Sequence, residues 1–136
     1  MVCIYCSSDT KVTNSRLQKR SNSVWRRRHC KGCGSIFSTK EHVDYEKSIV
    51  VQSPEGAISP FLRDKLFTSI YRSCQHRETA LQDTIGITDT VIDKIWNLSQ
   101  DGKLNAEVIA AATMKTLKRF DQPAAISYQA FHADVL

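Results

Sequence analysis

The chain has 136 residues, 41% of them hydrophobic, and its 19 lysines and arginines outnumber 14 acidic residues to give a net charge of +5. This length allows one ordinary domain or two small ones, and the apolar fraction is that of a folded protein. No apolar run approaches the ~18 residues of a membrane span, and Met1 lies too close to the first cysteine for a signal peptide, so we expect neither membrane insertion nor secretion.

Two cysteine pairs with CxxC spacing stand at the start of the chain. Cys3 and Cys6 form the first pair, and Cys30 and Cys33 form the second after 23 intervening residues. Each pair in a tight turn can direct two sulfurs at one metal ion, while the segment between them closes a small β-hairpin. Gly34 suits the left-handed backbone that such a turn often needs. The spacing therefore predicts one structural Zn²⁺ per chain, bound by four thiolates.

The excess positive charge lies entirely in the cysteine-rich segment. Residues 1–46 hold nine basic and four acidic side chains, whereas residues 47–136 hold ten of each. A basic segment joined to a neutral one is typical of a nucleic-acid-binding domain beside a domain with another role. A basic surface kept only for solubility is the alternative, and the concentration of the charge argues against it. We predict two domains, 1–46 and 47–136.

Three strands are predicted in the first domain from alternating and β-branched residues, at 10–16, 23–29 and 35–39. Successive side chains of a strand face opposite sides, so Arg26 and Arg28 should share one face, and Trp25 and Arg27 the other. Arginines on both faces of a small sheet cannot all be buried. At least two should therefore be available to phosphates or base edges.

Other side chains near the predicted metal site have less specific roles. His29 and His42 could bind zinc, but we interpret them as surface residues because four cysteines are present; His29 could instead contact a phosphate. Ile36 or Phe37 is expected to cover the site.

The second domain is predicted to begin with a β-hairpin after a charged junction at 41–47. Apolar residues 49–51 and residues 57–59 form its strands, and residues 53–56 have the composition of a turn.

About four helices should follow the hairpin. Ser59 followed by Pro60 is typical of a helix start, and we interpret Thr88 and Asn105 as the N-caps of the next two helices. Residues 121–123 should separate the third helix from the last one. Cys74 falls on the apolar stripe of the first helix and is expected in the core. The predicted fold class is α+β.

An enzyme is the least favoured class. A redox CxxC usually occurs as a single pair that opens a helix in a βαβ unit, which this sequence lacks. A catalytic zinc keeps an open coordination position, and four thiolates leave none. Five cysteines, four of them in CxxC pairs, indicate a reducing compartment and metal binding rather than disulfides.

Four motifs occur in order in the first domain: Cys3-x-x-Cys6, Asp9-Thr10-Lys11-Val12-x-x-Ser15-Arg16, Arg26-Arg27-Arg28-x-Cys30-x-x-Cys33-Gly34 and Phe37-Ser38-Thr39-x-Glu41. Together they resemble the NrdR family, bacterial transcriptional repressors of ribonucleotide reductase genes. They match that family's zinc ribbon in order and spacing over 1–41. Residues 48–133 resemble its ATP-cone more loosely, through the hairpin and Pro60-Phe61-x-x-x-Lys65-Leu66.

The resemblance implies a repressor in the bacterial cytoplasm, associated with the nucleoid. Its ribbon would bind double-stranded operator DNA, and its cone would bind ATP or dATP and change a homo-oligomer. The expected DNA-contacting residues are Arg16, Arg26, Arg27, Arg28, Lys31 and Lys40. The expected nucleotide-contacting residues are Val51, Gln52, Gly56, Lys65 and Arg77.

The cone departs from the family pattern where cations would meet phosphates. The family's Val-x-Lys-Arg-x-Gly strand is Val50-Val51-Gln52-Ser53-Pro54-Glu55-Gly56 here, without the basic pair and with one residue inserted. The family's Lys-Arg pair after the first helix is His76-Arg77 here, and its Tyr-Val-Arg-Phe segment is Ala125-Ile126-Ser127-Tyr128. In the ribbon, Ser35 stands where the family has an arginine. The alternative is therefore a nucleic-acid-binding ribbon whose second domain only oligomerises.

Overall fold

The computed structural model describes residues 1–99 and 101–133, which form two compact units. The first unit ends at Val43 and the second begins at Asp44. Within the described residues, the first unit is a three-stranded sheet with its turns, and the second combines five α-helices with a small mixed sheet. The predicted α+β class is confirmed. None of the described helices is long and apolar enough to cross a membrane.

The sheet of the first unit is antiparallel, with strand order β1-β2-β3. Its strands are β1 (Thr10–Gln18), β2 (Ser23–Cys30) and β3 (Ile36–Glu41). The predicted strands agree with these bounds to within two residues. A β-bulge between Val12 and Asn14 inserts one extra residue into β1. The bulge changes which β1 side chains share a face, because simple alternation along the strand is interrupted there.

The first unit has a very small core. It consists of Cys3, Cys30 and Phe37, which are 2%, 0% and 9% exposed. Phe37 is thus the residue that packs at the cysteine site, whereas Ile36 is 51% exposed. A core this small cannot hold a sheet of three strands by burial alone, so a cross-link is required.

The sheet of the second unit has β4 (Val50–Gln52) at its centre. It pairs antiparallel with β5 (Ile58–Pro60), which confirms the predicted hairpin, and parallel with β6 (Lys103–Asn105). The sequence did not predict β6, because its three residues include one apolar side chain, the buried Leu104. A single helical turn, α1 (Tyr45–Ser48), precedes β4 in the charged junction.

The first long helix, α2 (Arg63–Cys74), begins later than predicted. Pro60 lies in β5, opposite Val50, rather than at the first helical position, so the predicted start at Ser59 and Pro60 is wrong. A proline is compatible with the edge strand because its missing N–H is not needed by a neighbouring strand.

The second long helix, α3 (Ala80–Trp96), begins eight residues before the predicted cap. Thr88 is fully buried within it, so the interpretation of Thr88 as an N-cap is wrong. Threonine can enter a helix interior when its hydroxyl bonds to the carbonyl one turn earlier. Thr84 does so with the Ala80 carbonyl at 2.6 Å, whereas the hydroxyl of Thr88 has no hydrogen-bond partner within the described residues.

The last helices are α4 (Ala106–Phe120) and α5 (Gln122–Phe131). Asn105 is the N-cap residue of α4, as predicted, although its side chain makes no capping hydrogen bond. Asp121 caps α5 by accepting a hydrogen bond from the backbone N–H of Ala124 at 2.9 Å. Because Asp121 is extended, the predicted interruption between the two helices is confirmed.

The helices of the second unit surround one apolar core. Its fully buried large side chains include Ile70, Val91, Ile95 and Leu117. Cys74 is also fully buried among them, as predicted. The second unit therefore holds its fold by apolar burial, in contrast to the first.

Candidate metal centre and nucleic-acid interface

The four cysteines of the two CxxC pairs converge on one point. Their sulfur atoms all lie within 4.8 Å of one another. The Cys3 and Cys33 sulfurs are 3.7 Å apart, and the Cys6 and Cys30 sulfurs are 3.4 Å apart. A tetrahedral zinc with Zn–S bonds of about 2.3 Å separates its sulfurs by about 3.8 Å. The donor set and its spacing fit Zn²⁺, and this four-cysteine metal-binding site is the one predicted.

Backbone N–H groups point at two of the sulfurs. The Tyr5 N–H donates to Cys3 Sγ at 3.4 Å. Gly32 and Cys33 N–H groups donate to Cys30 Sγ at 3.3 and 3.4 Å. Such bonds stabilise thiolates and orient them toward a metal.

Two serines act on the exposed sulfurs. Hydrogen bonds from the hydroxyl and backbone of Ser8 lower the pKa of the Cys6 thiol to about 6. Ser35, whose Oγ lies 3.2 Å from Cys33 Sγ, lowers the pKa of that thiol in the same way. A lowered pKa favours the thiolate, the form that binds zinc, at neutral pH.

The second pair requires glycine at two positions. A Cβ on Gly32 would lie 2.5 Å from Ser8 Oγ and 2.8 Å from Ser8 Cβ. Gly34 has a φ of +74°, which confirms the predicted left-handed conformation and favours glycine there. The sequence indicated Gly34 but neither Gly32 nor Ser8, because the close approach of the two turns depends on tertiary packing.

The histidines lie outside the four-sulfur group. Among the described residues, that group contains only cysteines. His42 is exposed, as predicted, whereas His29 is half-buried and its Nδ1 atom has no hydrogen-bond partner in the described part of the chain.

The ribbon sheet has two chemically different faces. Cross-strand partners share a face, so the register of β1, β2 and β3 assigns each side chain. The Trp25 face is defined by Lys11, Asn14, Arg16, Gln18, Ser23, Trp25, Arg27, His29, Ile36, Ser38 and Lys40. The Arg26 face is defined by Thr10, Val12, Ser15, Leu17, Val24, Arg26, Arg28, Cys30, Phe37, Thr39 and Glu41. The predicted separation of the arginines is confirmed.

Both arginines of the Arg26 face have partners within the chain. Arg26 Nη1 forms an ion pair with Glu41 Oε2 at 3.0 Å. Arg28 donates to the hydroxyls of Thr39 and Thr10 at 3.3 and 3.4 Å. These guanidinium groups join neighbouring strands of the sheet.

The Trp25 face carries cations and no carboxylate among the described strand residues. Arg16 and Lys40 are the cross-strand neighbours of the half-buried Trp25. Arg27 is exposed, lies between Asn14 and Ser38, and its guanidinium makes no hydrogen bond or ion pair within the described residues.

Lys31, the remaining residue expected at DNA, belongs to neither face. It is exposed in the turn of the second cysteine pair, where its backbone N–H donates to the Asp9 carbonyl at 3.0 Å.

The expected nucleotide-contacting residues do not form one group. Val51 is half-buried in β4, Gln52 ends that strand, and Gly56 occupies the hairpin turn with a φ of +87°. Lys65 is exposed in the first turn of α2. Arg77 follows the opposite end of α2, a helix about 18 Å long. Lys65 and Arg77 therefore lie at opposite ends of α2.

Arg77 instead joins three helix ends. Its Nε lies 2.8 Å from Asp83 Oδ2, and its Nη1 lies 2.7 Å from Asp121 Oδ2. The guanidinium also lies 4.8 Å from the Phe120 ring centroid. Together with His76, which is 3.2 Å from Asp121 Oδ1, these groups tie the end of α2 to the starts of α3 and α5.

The two carboxylates have lowered pKa values. For Asp121 the main cause is the Ala124 N–H, followed by Arg77 and His76. For Asp83 it is the Thr79 hydroxyl, followed by Arg77. Sequence analysis did not indicate either aspartate as a partner of Arg77, because they lie 6 and 44 residues from it along the chain.

Comparison with known proteins gives consistent matches. Residues 1–41 match the family model described as the N-terminal domain of NrdR-like transcriptional repressors. The chain is 34% identical over 134 residues to the transcriptional repressor NrdR of Staphylococcus epidermidis, covering 96% of this chain and 81% of the relative. It is 30% identical over 134 residues to NrdR of Symbiobacterium thermophilum, covering 98% and 88%.

The metal site predicts a zinc content of one ion per chain. Replacing Cys30 with serine should release the zinc and unfold the first unit, because a buried ligand is lost from a site that supplies most of the unit's stability. Elemental analysis and NMR spectra of the full chain would measure this, with Cys74→Ala as a control that retains zinc. A zinc content well below one, with an intact ribbon in Cys30→Ser, would contradict the site.

The Arg77 cluster, which consists of His76, Arg77, Asp83 and Asp121, predicts that the stability of the second unit is sensitive to acid. Carboxylates with lowered pKa values stabilise the fold above their unfolded value of about 3.9, and this stabilisation is lost as pH falls through their folded pKa. Asp121→Asn should therefore flatten the decrease of unfolding free energy below about pH 4. Urea unfolding across this range would measure it.

Asp64→Asn is the matched control, because the Asp64 carboxylate makes no hydrogen bond or ion pair within the described residues. An equally flattened pH profile in Asp64→Asn would show that the cluster is not responsible.

Proposed function

Because the chain belongs to the NrdR family of transcriptional repressors, we propose that it represses ribonucleotide reductase genes by binding operator DNA through its zinc ribbon. The observation that carries the proposal is the four-cysteine site at the base of a sheet rich in exposed cations. Zinc would fix the strands, and the cations would meet the DNA backbone. Residues 1–46 are thus assigned to DNA binding and residues 47–136 to regulation and self-association.

The physical basis of DNA binding is the release of counterions. Each phosphate neutralised by a lysine or arginine releases condensed cations from the duplex, which favours association and makes it salt-dependent. The first domain has five more basic than acidic residues and the second has equal numbers. Duplex DNA therefore has a favourable partner in the ribbon, and the rest of the chain adds no net attraction.

Regulation is assigned to the second unit. We propose that ATP or dATP binds at the β4–β5 hairpin and changes the association of a homo-oligomer in the bacterial cytoplasm, at the nucleoid. Three features support this: the exposed Gln52, the exposed Lys65, and the open hairpin turn, where a Cβ on Gly56 would meet no atom within 4 Å. DNA binding would then follow nucleotide supply.

A second candidate function is favoured by the position of Arg77. Its guanidinium already pairs with Asp83 and Asp121, so a triphosphate would have to compete with two carboxylates for it. Of the two cations expected at the nucleotide, only Lys65 lies near the hairpin in sequence. In this candidate the ribbon binds nucleic acid while the second unit only oligomerises.

Specific DNA binding is testable with the zinc-loaded full chain. We expect tighter binding to a duplex taken from upstream of the ribonucleotide reductase genes of the same genome than to a scrambled duplex of equal composition. Fluorescence anisotropy would measure both affinities. Equal affinities would contradict the proposed target, and binding that persists after zinc chelation would contradict the dependence on zinc.

Nucleotide binding is testable by thermal unfolding. A ligand that binds only the folded state stabilises it by about 2.7 kcal/mol at a hundredfold excess over Kd, so ATP or dATP should raise the Tm in a concentration-dependent way. Lys65→Ala should abolish the rise, whereas Lys115→Ala, another exposed helical lysine, should retain it. An unchanged Tm at millimolar nucleotide would favour the second candidate.

A further inference from the structure

We propose that the Trp25 face of the ribbon is the surface that docks on duplex DNA, and that the Arg26 face is turned away from it. This inference rests on the proposed DNA-binding function and specifies the site within it. It separates three adjacent arginines, Arg26 to Arg28, into one that binds DNA and two that hold the sheet together.

The first argument is the state of each guanidinium. Arg26 is engaged by Glu41 at 3.0 Å, and Arg28 by two threonine hydroxyls. A phosphate would have to share either guanidinium with these partners. Arg27 has no such interaction within the described residues and is exposed to solvent.

The second argument is the electrostatic potential of each face. The Trp25 face carries Lys11, Arg16, Arg27 and Lys40, and no carboxylate among the described strand residues. The Arg26 face carries two cations, Arg26 and Arg28, but also Glu41, whose side chain is 62% exposed and would repel a phosphate. Its other exposed members include Leu17 at 62% and Val12 at 44%, which offer nothing to a charged backbone.

The third argument is the geometry of the cations. Adjacent strands lie about 4.8 Å apart, so Arg16 on β1 and Lys40 on β3 start about 10 Å from each other, on either side of Trp25. This span is comparable to the roughly 12 Å width of the major groove. Arg27 lies on β2, the central strand, with the polar Asn14 and Ser38 beside it. Cations can thus reach the backbone at both margins while Arg27 faces the groove.

The bulge in β1 completes this face. Lys11 and Arg16 are five residues apart, so unbroken alternation would place them on opposite sides of the sheet. The extra residue between Val12 and Asn14 puts both on the Trp25 face. The irregularity therefore increases the charge of one face at the expense of the other.

The test compares Arg27→Gln with Arg26→Gln. Each substitution removes one positive charge from β2, and the two residues are adjacent but lie on opposite faces. Arg26→Gln also removes the ion pair with Glu41. Binding of the zinc-loaded full chain to a fluorescein-labelled duplex of mixed sequence would be measured between about 50 and about 200 mM salt, because the phosphate contribution does not require a specific sequence.

We expect Arg27→Gln to reduce the slope of log affinity against log salt by about one. Arg26→Gln should leave the slope close to that of the wild type. The triple variant Arg16→Gln, Arg27→Gln, Lys40→Gln should reduce it by about three. Zinc content and circular dichroism would confirm that each variant is folded, and Lys40→Gln alone provides a second single substitution on the Trp25 face.

Each result has a distinct meaning. If Arg26→Gln lowers the slope as much as Arg27→Gln, or more, the assignment of the face is overturned while DNA binding stands. If the wild-type protein shows no salt-dependent binding to either this duplex or the upstream duplex, the proposed function itself is wrong.

Discussion

The first unit depends on one cross-link, the set of four sulfurs. Its core contains a single large apolar side chain, Phe37, whose burial contributes about 1.5–3 kcal/mol. A structural zinc contributes about 10–16 kcal/mol of apparent binding free energy, so the metal outweighs apolar burial by several fold. Cys30 ends β2, and Cys33 lies three residues before β3. The same ligands therefore hold the two strands in register and fix which side chains face each other.

Register also explains which parts of the site could be predicted. The CxxC spacing is local, so the sequence alone indicated the four ligands, and alternation along β2 correctly separated Arg26 from Arg27. Alternation along β2 could not indicate the bulge in β1. It also could not indicate that Arg26 pairs with Glu41, which lies on β3. Whether an arginine is available to bind DNA thus depends on tertiary contacts, and neither composition nor strand alternation indicates them.

The second unit shows the same limit in its helices. Asn105 and the interruption at Asp121 were predicted because caps and breaks act through neighbouring residues. Thr88 was misassigned because a threonine can cap a helix or be buried inside one, and only packing against other helices distinguishes these roles. The strand β6 was missed since three residues carry no periodicity, and it is defined by pairing with β4.

Arginine plays opposite parts in the two units, and the difference lies in its partners. Arg77 is placed between two carboxylates and an aromatic ring, so its charge is used to join helices. Arg27 has no carboxylate on its own face of the described strands, so its charge remains directed at solvent. A guanidinium already paired with carboxylates gains less from a phosphate, because it must first give up comparable charge-assisted bonds. Net charge therefore indicates which domain can carry a phosphate-binding surface. The ion pairs and hydrogen bonds within the chain determine which of its cations form that surface.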